Sequence, residues 1–159
     1  MGMIWVGYRR NSSAARQLLE DPDLLEDLLE SDDGDTSVDL DKAWHGVHWL
    51  LTGAEGPIAG IPSEAIFGGE PVGEDLGYGP GRLLPASRVS GVAAELHELD
   101  VDTLRSRMDP AAMTRAGIYP SIWDEEDVFD AYLAPAYESL RGFYTAAARA
   151  GESVIQTIC

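Results

Sequence analysis

The hydrophobic residues of this chain form strand-like runs at its two ends and helix-like spacings between them. Residues 3–8 combine aromatic and β-branched side chains, which predicts a buried strand near the amino terminus. Residues 153–158 show the same character and predict a closing strand. We therefore expect the two ends of the chain to meet in one sheet.

Between these ends, apolar residues recur every three or four positions, which is the spacing of one helix face. Asn11, Ser12 or Ser13 is expected to cap a first helix that runs through Leu19, and Pro22 marks the restart of a second. Further helices are predicted to begin at Pro85, at Asp100 or Asp102, at Asp109-Pro110 and at Glu125.

The last of these predicted helices is the longest and spans residues 125–150. Pro135 lies inside it and should kink it, and Gly151 ends it. The pattern predicts one α+β domain over residues 1–159. Its small mixed or antiparallel sheet includes both terminal strands and is packed by several helices, among them the long C-terminal one.

Residues 39–53 concentrate chemistry-bearing side chains, with two of the four tryptophans, two of the three histidines and the single lysine. We predict a helix here, capped by Asp39 or Asp41 and ended by Gly53. Its inner face is expected to carry four side chains at three- and four-residue spacing: Asp41, Trp44, His48 and Leu51.

The following segment, residues 53–81, is rich in glycine and proline but also contains many apolar side chains. Such a segment is too apolar for a solvated linker, so we predict ordered loops with short strands. Residues 82–84 are expected to enter a strand.

The charge of the chain is strongly negative, with 28 acidic and 11 basic residues and a net charge of −17. That field repels phosphate backbones and anionic lipids, so we expect no nucleic-acid or membrane partner, whereas a basic protein partner is compatible with it.

Eleven of the acids lie between Glu20 and Asp41 without a single base. An EF-hand calcium loop with Gly34 at its sixth position is excluded, because Leu29 and Leu40 would occupy its first and last ligand positions, and leucine offers no side-chain oxygen.

The single cysteine, Cys159, rules out an intramolecular disulfide and suits a reducing compartment. The first ten residues lack the basic region of a signal peptide, and no apolar run approaches the roughly 18 residues of a membrane span. We therefore expect a cytoplasmic protein.

The motifs of well-known enzyme classes are missing from the sequence. No serine lies in a Gly-x-Ser-x-Gly elbow, no cysteine is internal, and His97-Glu98 is not followed by a second histidine. Asp41, His45 and His48 have residue types that suit zinc or iron. The two histidines diverge around the helix, however, and we favour for His48 a partly buried side chain that is hydrogen-bonded to a carboxylate or a backbone carbonyl. We predict no metal and no cofactor, and whether the protein is an enzyme stays open.

Two loops are candidates for binding a ligand or a protein partner. Residues 77–82 (Gly-Tyr-Gly-Pro-Gly-Arg) do not fit a nucleotide-binding motif, but they offer Tyr78 and Arg82 to an anionic or peptide ligand. A glycine-dictated turn whose tyrosine covers the sheet edge is the alternative. Residues 118–123 carry Tyr119 and Trp123, which either anchor a partner or fasten the loop to the long helix.

Several short motifs resemble those of the YfbM-like family, a group of small bacterial proteins of unknown function. The resemblance covers the whole chain and includes the start Met-Gly-Met-Ile. Its other carrying residues are Asp41-Lys42, Trp44, His48, Leu51-Thr52-Gly53, Gly77 to Pro80, Arg82, Ile118-Tyr119-Pro120 and Trp123. His45 departs from the pattern. The resemblance implies an α+β fold and a soluble bacterial protein, and it carries no activity, cofactor or catalytic residue.

Two functions follow as expectations. The first is a non-catalytic interaction or regulatory module that uses its acidic surface, and the alternative is a small-molecule-binding protein or enzyme with a pocket near residues 77–82. The oligomeric state is not predicted. The candidate ligand or partner surface consists of Trp44, His48, Tyr78, Arg82, Tyr119 and Trp123.

Overall fold

The computed structural model describes residues 2–31 and 34–159, and within them the chain forms one five-stranded antiparallel sheet. The two terminal strands pair with each other at its centre, which confirms the predicted meeting of the chain ends. The strand order is β2-β1-β5-β4-β3. The strands are β1 (Trp5–Arg10), β2 (Ser37–Asp41), β3 (Glu70–Asp75), β4 (Pro80–Leu84) and β5 (Ser153–Ile158).

Helices cover both faces of this sheet, and the predicted α+β class is confirmed. The two helices on one side are α1 (Ser12–Glu20) and α2 (Leu24–Glu30). The others are α3 (Trp44–Thr52), α4 (Ile61–Phe67), α5 (Ala86–Glu98), α6 (Val101–Ser106), α7 (Pro110–Arg115) and α8 (Ala134–Ala150), which directly follows a π-helical segment at Phe129–Leu133.

The hydrophobic core divides at the sheet because successive strand residues point to opposite faces. On the α1–α2 side a small cluster forms around Tyr8, Leu83 and Ile155. On the other side the larger core contains Leu84, Val154 and most of the helical apolar residues. The sheet is therefore buried on both faces, and β5 is nearly inaccessible along its length.

The predicted helix at residues 39–53 begins later than expected. Residues 37–41 form β2, which pairs with β1 at the edge of the sheet, and the helix α3 starts only at Trp44. The alternation of Val38 and Leu40 with polar neighbours was the strand signal. Asp41 is therefore not on the face of Trp44 and His48, and neither Asp39 nor Asp41 caps the helix.

The caps predicted for three other helices are confirmed. The side chains of Asn11, Asp100 and Asp109 each accept a hydrogen bond from a backbone N–H of the first helical turn. The irregularity expected at Pro135 takes the form of the π-helical segment just before it, where the Ala134 N–H donates to the Phe129 carbonyl oxygen.

Two of the eleven acids between Glu20 and Asp41, at positions 32 and 33, lie outside the described residues. Among the described helices, none is both long and apolar enough to cross a bilayer.

One glycine inside α3 sets how closely this helix approaches the 118–123 loop. A Cβ added to Gly46 would lie 2.5 Å from the Trp123 ring and 2.9 Å from Leu133. Gly142, on the exposed side of α8, has nothing within 4 Å of the same position.

We predict that Gly46→Ala lowers the free energy of unfolding by about 1–3 kcal/mol, because overpacking outweighs the gain in helix propensity. The matched change Gly142→Ala should raise it by about 0.5–1 kcal/mol. Urea denaturation of both variants measures the difference. Stabilisation by Gly46→Ala would show that the helix has room to move away from Trp123.

Candidate functional site

The carbonyl end of the short helix α4 is bound by side chains from three distant parts of the chain. A helix leaves its last four carbonyl groups without partners inside the helix. Trp5 of β1, Tyr144 of α8 and Gln156 of β5 donate to this end of α4 at 2.9–3.0 Å. Their acceptors are the carbonyl oxygens of Ile66, Ala65, Glu64 and Gly68.

A tight turn joins β3 to β4 beside this helix end. The Asp75 carboxylate accepts hydrogen bonds from the backbone N–H groups of Gly77 (2.6 Å) and Gly79 (3.3 Å). Both glycines have positive φ angles, 112° and 103°, which side-chain-bearing residues rarely adopt. The turn presents Tyr78 with 55% of its surface exposed.

A cleft of about 200 Å³ lies between this turn, the end of α4 and the end of β5. Pro57, Ile66 and Phe67 line it near α4, and Tyr78 and Arg82 line it from the β3–β4 turn and β4. Gln156 and its neighbours on β5 complete the lining. The cleft is thus mostly apolar with a small number of polar groups, which is the usual composition of a small-molecule site.

Arg82 brings a positive charge to this cleft without a negative partner. Its guanidinium donates to the Gly69 carbonyl oxygen at 3.2 Å. Within the described ranges, 2–31 and 34–159, no carboxylate lies within ion-pair distance of it, although the chain has 28 acids. Arg9, Arg88, Arg105 and Arg141 each pair with a carboxylate.

Gln156, which lines the same cleft, has a buried acceptor atom without a partner among the described residues. Its Nε2 group donates to two carbonyl oxygens, those of Glu64 and Gly68, so a flipped amide would place oxygen against oxygen. The orientation is thereby fixed. The side chain is 2% exposed, and its Oε1 atom has no hydrogen-bond partner among the described residues.

His48 and Ser63 form a pair that superficially resembles a catalytic base and nucleophile. The Ser63 hydroxyl lies 3.1 Å from Nε2 of His48, and Nδ1 of His48 lies 3.1 Å from the Ala54 carbonyl oxygen. Since a carbonyl oxygen only accepts, Nδ1 carries the proton and Nε2 accepts from Ser63. The serine hydroxyl in turn accepts from the Ile58 N–H at 3.1 Å.

Electrostatics favour a structural role for this pair. Burial lowers the pKa of His48 to about 4, with the backbone hydrogen bond to Ala54 opposing the shift and the nearby His45 adding to it. An imidazole of such low basicity is a weak general base at neutral pH. His48 and Ser63 are both buried, and together they hold the 54–63 segment against α3.

His45 also connects backbone segments. Its Nδ1 accepts from the Tyr119 N–H at 2.9 Å, so Nε2 carries the proton and donates to the Glu55 carbonyl oxygen at 2.7 Å. Burial lowers its pKa. Throughout residues 2–31 and 34–159, no three His, Cys, Asp or Glu side chains are grouped to hold a metal ion.

The six residues of the predicted surface do not lie together. Tyr78 and Arg82 line the cleft. Trp44 and His48 lie behind it, where their rings make edge contacts with Phe67 at centroid distances of 5.9 and 4.8 Å. The remaining two, Tyr119 and Trp123, belong to the 118–123 loop and do not line the cleft.

Burial corrects the predicted surface at three positions. Trp44, His48 and Trp123 are core residues, because each also satisfies its ring nitrogen with a partner inside the fold. Trp123 is 1% exposed and donates to the Ile118 carbonyl oxygen at 2.7 Å, so it fastens its own loop. Tyr119 is partly buried, and its hydroxyl accepts from the Met3 N–H at 3.3 Å.

Sequence reasoning missed Gln156 and Phe67 as cleft residues. A signal existed for Gln156, because an amide within the apolar run of residues 153–158 has to find partners once that strand is buried. Phe67 had no comparable signal, since its place depends on how α4 packs against α3 and α5.

We predict that the His48 imidazole makes stability fall as the pH decreases below 6.5. The unfolded state binds the proton near pH 6.5 and the folded state only near 4, so acid favours unfolding over that interval. Relative to pH 7.5, the wild type should therefore lose about 2–3 kcal/mol at pH 4.5 through this group.

The measurement compares the wild type with His48→Gln at both pH values by urea denaturation. The stability deficit of the variant should shrink by about 2–3 kcal/mol at the lower pH. His97→Gln, at an exposed histidine, is the control and should show a constant difference. A deficit for His48→Gln that does not change with pH would contradict the lowered pKa.

Comparison with known proteins identifies a structure of similar fold and a family, and neither has a known activity. The structure is similar to the crystal structure of YfbM from Escherichia coli, a protein of unknown function. The TM-score is 0.78 at 25% identity, and the match covers 99% of this chain and 100% of that one. No curated protein matches the sequence. The model of a domain of unknown function, DUF1877, matches residues 1–157, and the chain belongs to this YfbM-like family.

Proposed function

We propose that this protein binds a small organic carboxylate in the cleft between the β3–β4 turn, α4 and β5. The observation that carries the proposal is the unpaired guanidinium of Arg82, which lines the cleft of a protein with net charge −17. A planar guanidinium matches a carboxylate with two parallel hydrogen bonds. In so acidic a chain, a cation without a carboxylate partner is available for a ligand's anion.

The shape and lining of the cleft support a compact ligand with an apolar part. Its volume of about 200 Å³ lies below the roughly 300–1,000 Å³ of sites for drug-sized molecules, so a nucleotide is too large. Phe67, Ile66 and Ile158 offer an apolar wall, and Tyr78 offers an exposed ring at the entrance. The carboxylate would meet Arg82 while the hydrocarbon part packs against Phe67.

We predict that Arg82→Gln weakens carboxylate binding by about 10- to 100-fold, because a charge-assisted hydrogen bond is lost. The probe is 4-methylpentanoate, titrated into ¹⁵N-labelled protein and followed by NMR. Its binding should shift the amide signals of residues 66–68, 78–82 and 156–158. The neutral analogue 4-methylpentanamide should bind at least tenfold more weakly than the carboxylate.

The matched control is Arg149→Gln, which removes the same charge from an exposed position outside the cleft. It should leave the affinity unchanged within about twofold, since exposed charges are screened by salt. Equal affinity of 4-methylpentanoate for the wild type and Arg82→Gln would refute the proposal. So would amide shifts located away from the cleft.

A second candidate function rests on the acidic face around α1 and α2. Between Glu20 and Asp41, all nine acids that the structure describes are exposed, and no base lies among them. We propose as the alternative that this face steers a basic protein partner. Such binding would weaken strongly with added salt, whereas a carboxylate held in the half-buried cleft depends less on salt.

A further inference from the structure

A second polar side chain lies next to Arg82 in the lining of the cleft. In the antiparallel register, Arg82 of β4 lies directly opposite Gln156 of β5. Directly opposed residues project to the same face of a sheet, with their Cβ atoms roughly 4.5–5.5 Å apart. That face carries Leu84 and Val154 into the larger core, so both polar side chains lie on the helix-covered side.

The Oε1 atom of Gln156 is an acceptor that the fold itself does not satisfy. Both amide hydrogens are used on α4, which leaves Oε1 without a donor among the described residues. Nearly all buried polar atoms in native proteins have a partner. Because Oε1 is buried, a ligand beside Arg82 reaches it only when the side chains around it shift, and the ligand then gains by donating a hydrogen bond to it.

The number of hydrogen-bond acceptors in the cleft decides whether a primary ammonium group or an amide of the ligand fits better. A primary ammonium group has three N–H bonds to satisfy, and a buried charge without partners is strongly unfavourable. A secondary amide has a single N–H and no charge. Gln156 and Thr157 are both buried and both line the cleft, but successive residues of a strand project to opposite faces, so Gln156 supplies the buried acceptor on the face of Arg82. The Tyr78 hydroxyl belongs to a half-exposed residue at the entrance. One buried acceptor suits one amide N–H.

We propose that the ligand is an acylamino carboxylate, which is the chemistry of an N-acyl amino acid and of a peptide carboxyl terminus. This inference rests on the proposed function. The carboxylate binds Arg82, the amide N–H on the adjacent carbon donates to Oε1 of Gln156, and a small apolar side chain packs against Phe67. The carboxylate and the amide N–H are attached to one ligand carbon, which suits two side chains on directly opposed residues of adjacent strands.

The test compares ligands, because substitution of Gln156 would also remove its bonds to α4. The probes are N-acetyl-L-leucine, its ester analogue with oxygen in place of the N–H, 4-methylpentanoate, and the tripeptide Ala-Ala-Leu. Each is titrated into the wild type and into Arg82→Gln by NMR. The ester analogue keeps the charge and shape of N-acetyl-L-leucine and lacks only the donor.

We expect N-acetyl-L-leucine to bind at least tenfold more tightly than its ester analogue, because a site that accepts a hydrogen bond rejects a ligand without the donor. It should also bind more tightly than 4-methylpentanoate. Equal affinity of the tripeptide would assign the chemistry to a peptide carboxyl terminus, and tenfold weaker tripeptide binding would assign it to a free N-acyl amino acid.

Equal affinities of the amide and ester probes, both weakened by Arg82→Gln, would overturn the acylamino inference and leave carboxylate binding intact. Absence of binding by all the carboxylates, 4-methylpentanoate included, would overturn the proposed function and this inference with it.

Discussion

The candidate site depends on how the carbonyl end of α4 is bound. A seven-residue helix has little stability of its own, since four of its carbonyl groups need partners from elsewhere. Trp5, Tyr144 and Gln156 donate to three of these carbonyl groups from the first strand, the last helix and the last strand. The helix therefore holds its place only when both ends of the chain have already come together in the sheet.

The way in which the carbonyl end of α4 is bound also determines which polar groups the cleft offers to a ligand. Because both N–H groups of Gln156 are committed to α4, its Oε1 faces no protein donor in the described chain. Arg82 lies opposite it, and the β3–β4 turn held by Asp75 brings Tyr78 to the entrance. A structural requirement of a short helix thus leaves one acceptor and one cation side by side in an apolar cleft.

Much of the fold could be predicted from local patterns, and much of the site could not. The terminal strands, the caps at Asn11, Asp100 and Asp109, and the α+β class follow from periodicity and capping chemistry. Tyr78 and Arg82 were marked by their glycine-rich turn. The burial of Trp123 depends on long-range packing against Gly46, and the edge strand β2 was hidden by the helix-like spacing from Asp41 onward.

The most direct test of this account is the stability of Gln156→Glu, with Gln17→Glu at an exposed site as control. At pH 7 a carboxylate would face the carbonyl oxygens of Glu64 and Gly68 without a proton to donate, so the account predicts a loss of about 2–4 kcal/mol. Lowering the pH protonates the new carboxylate, and the stability of Gln156→Glu should then rise relative to that of Gln17→Glu. Equal stability of Gln156→Glu and Gln17→Glu at pH 7 would contradict the claim that the Gln156 amide holds α4 in place.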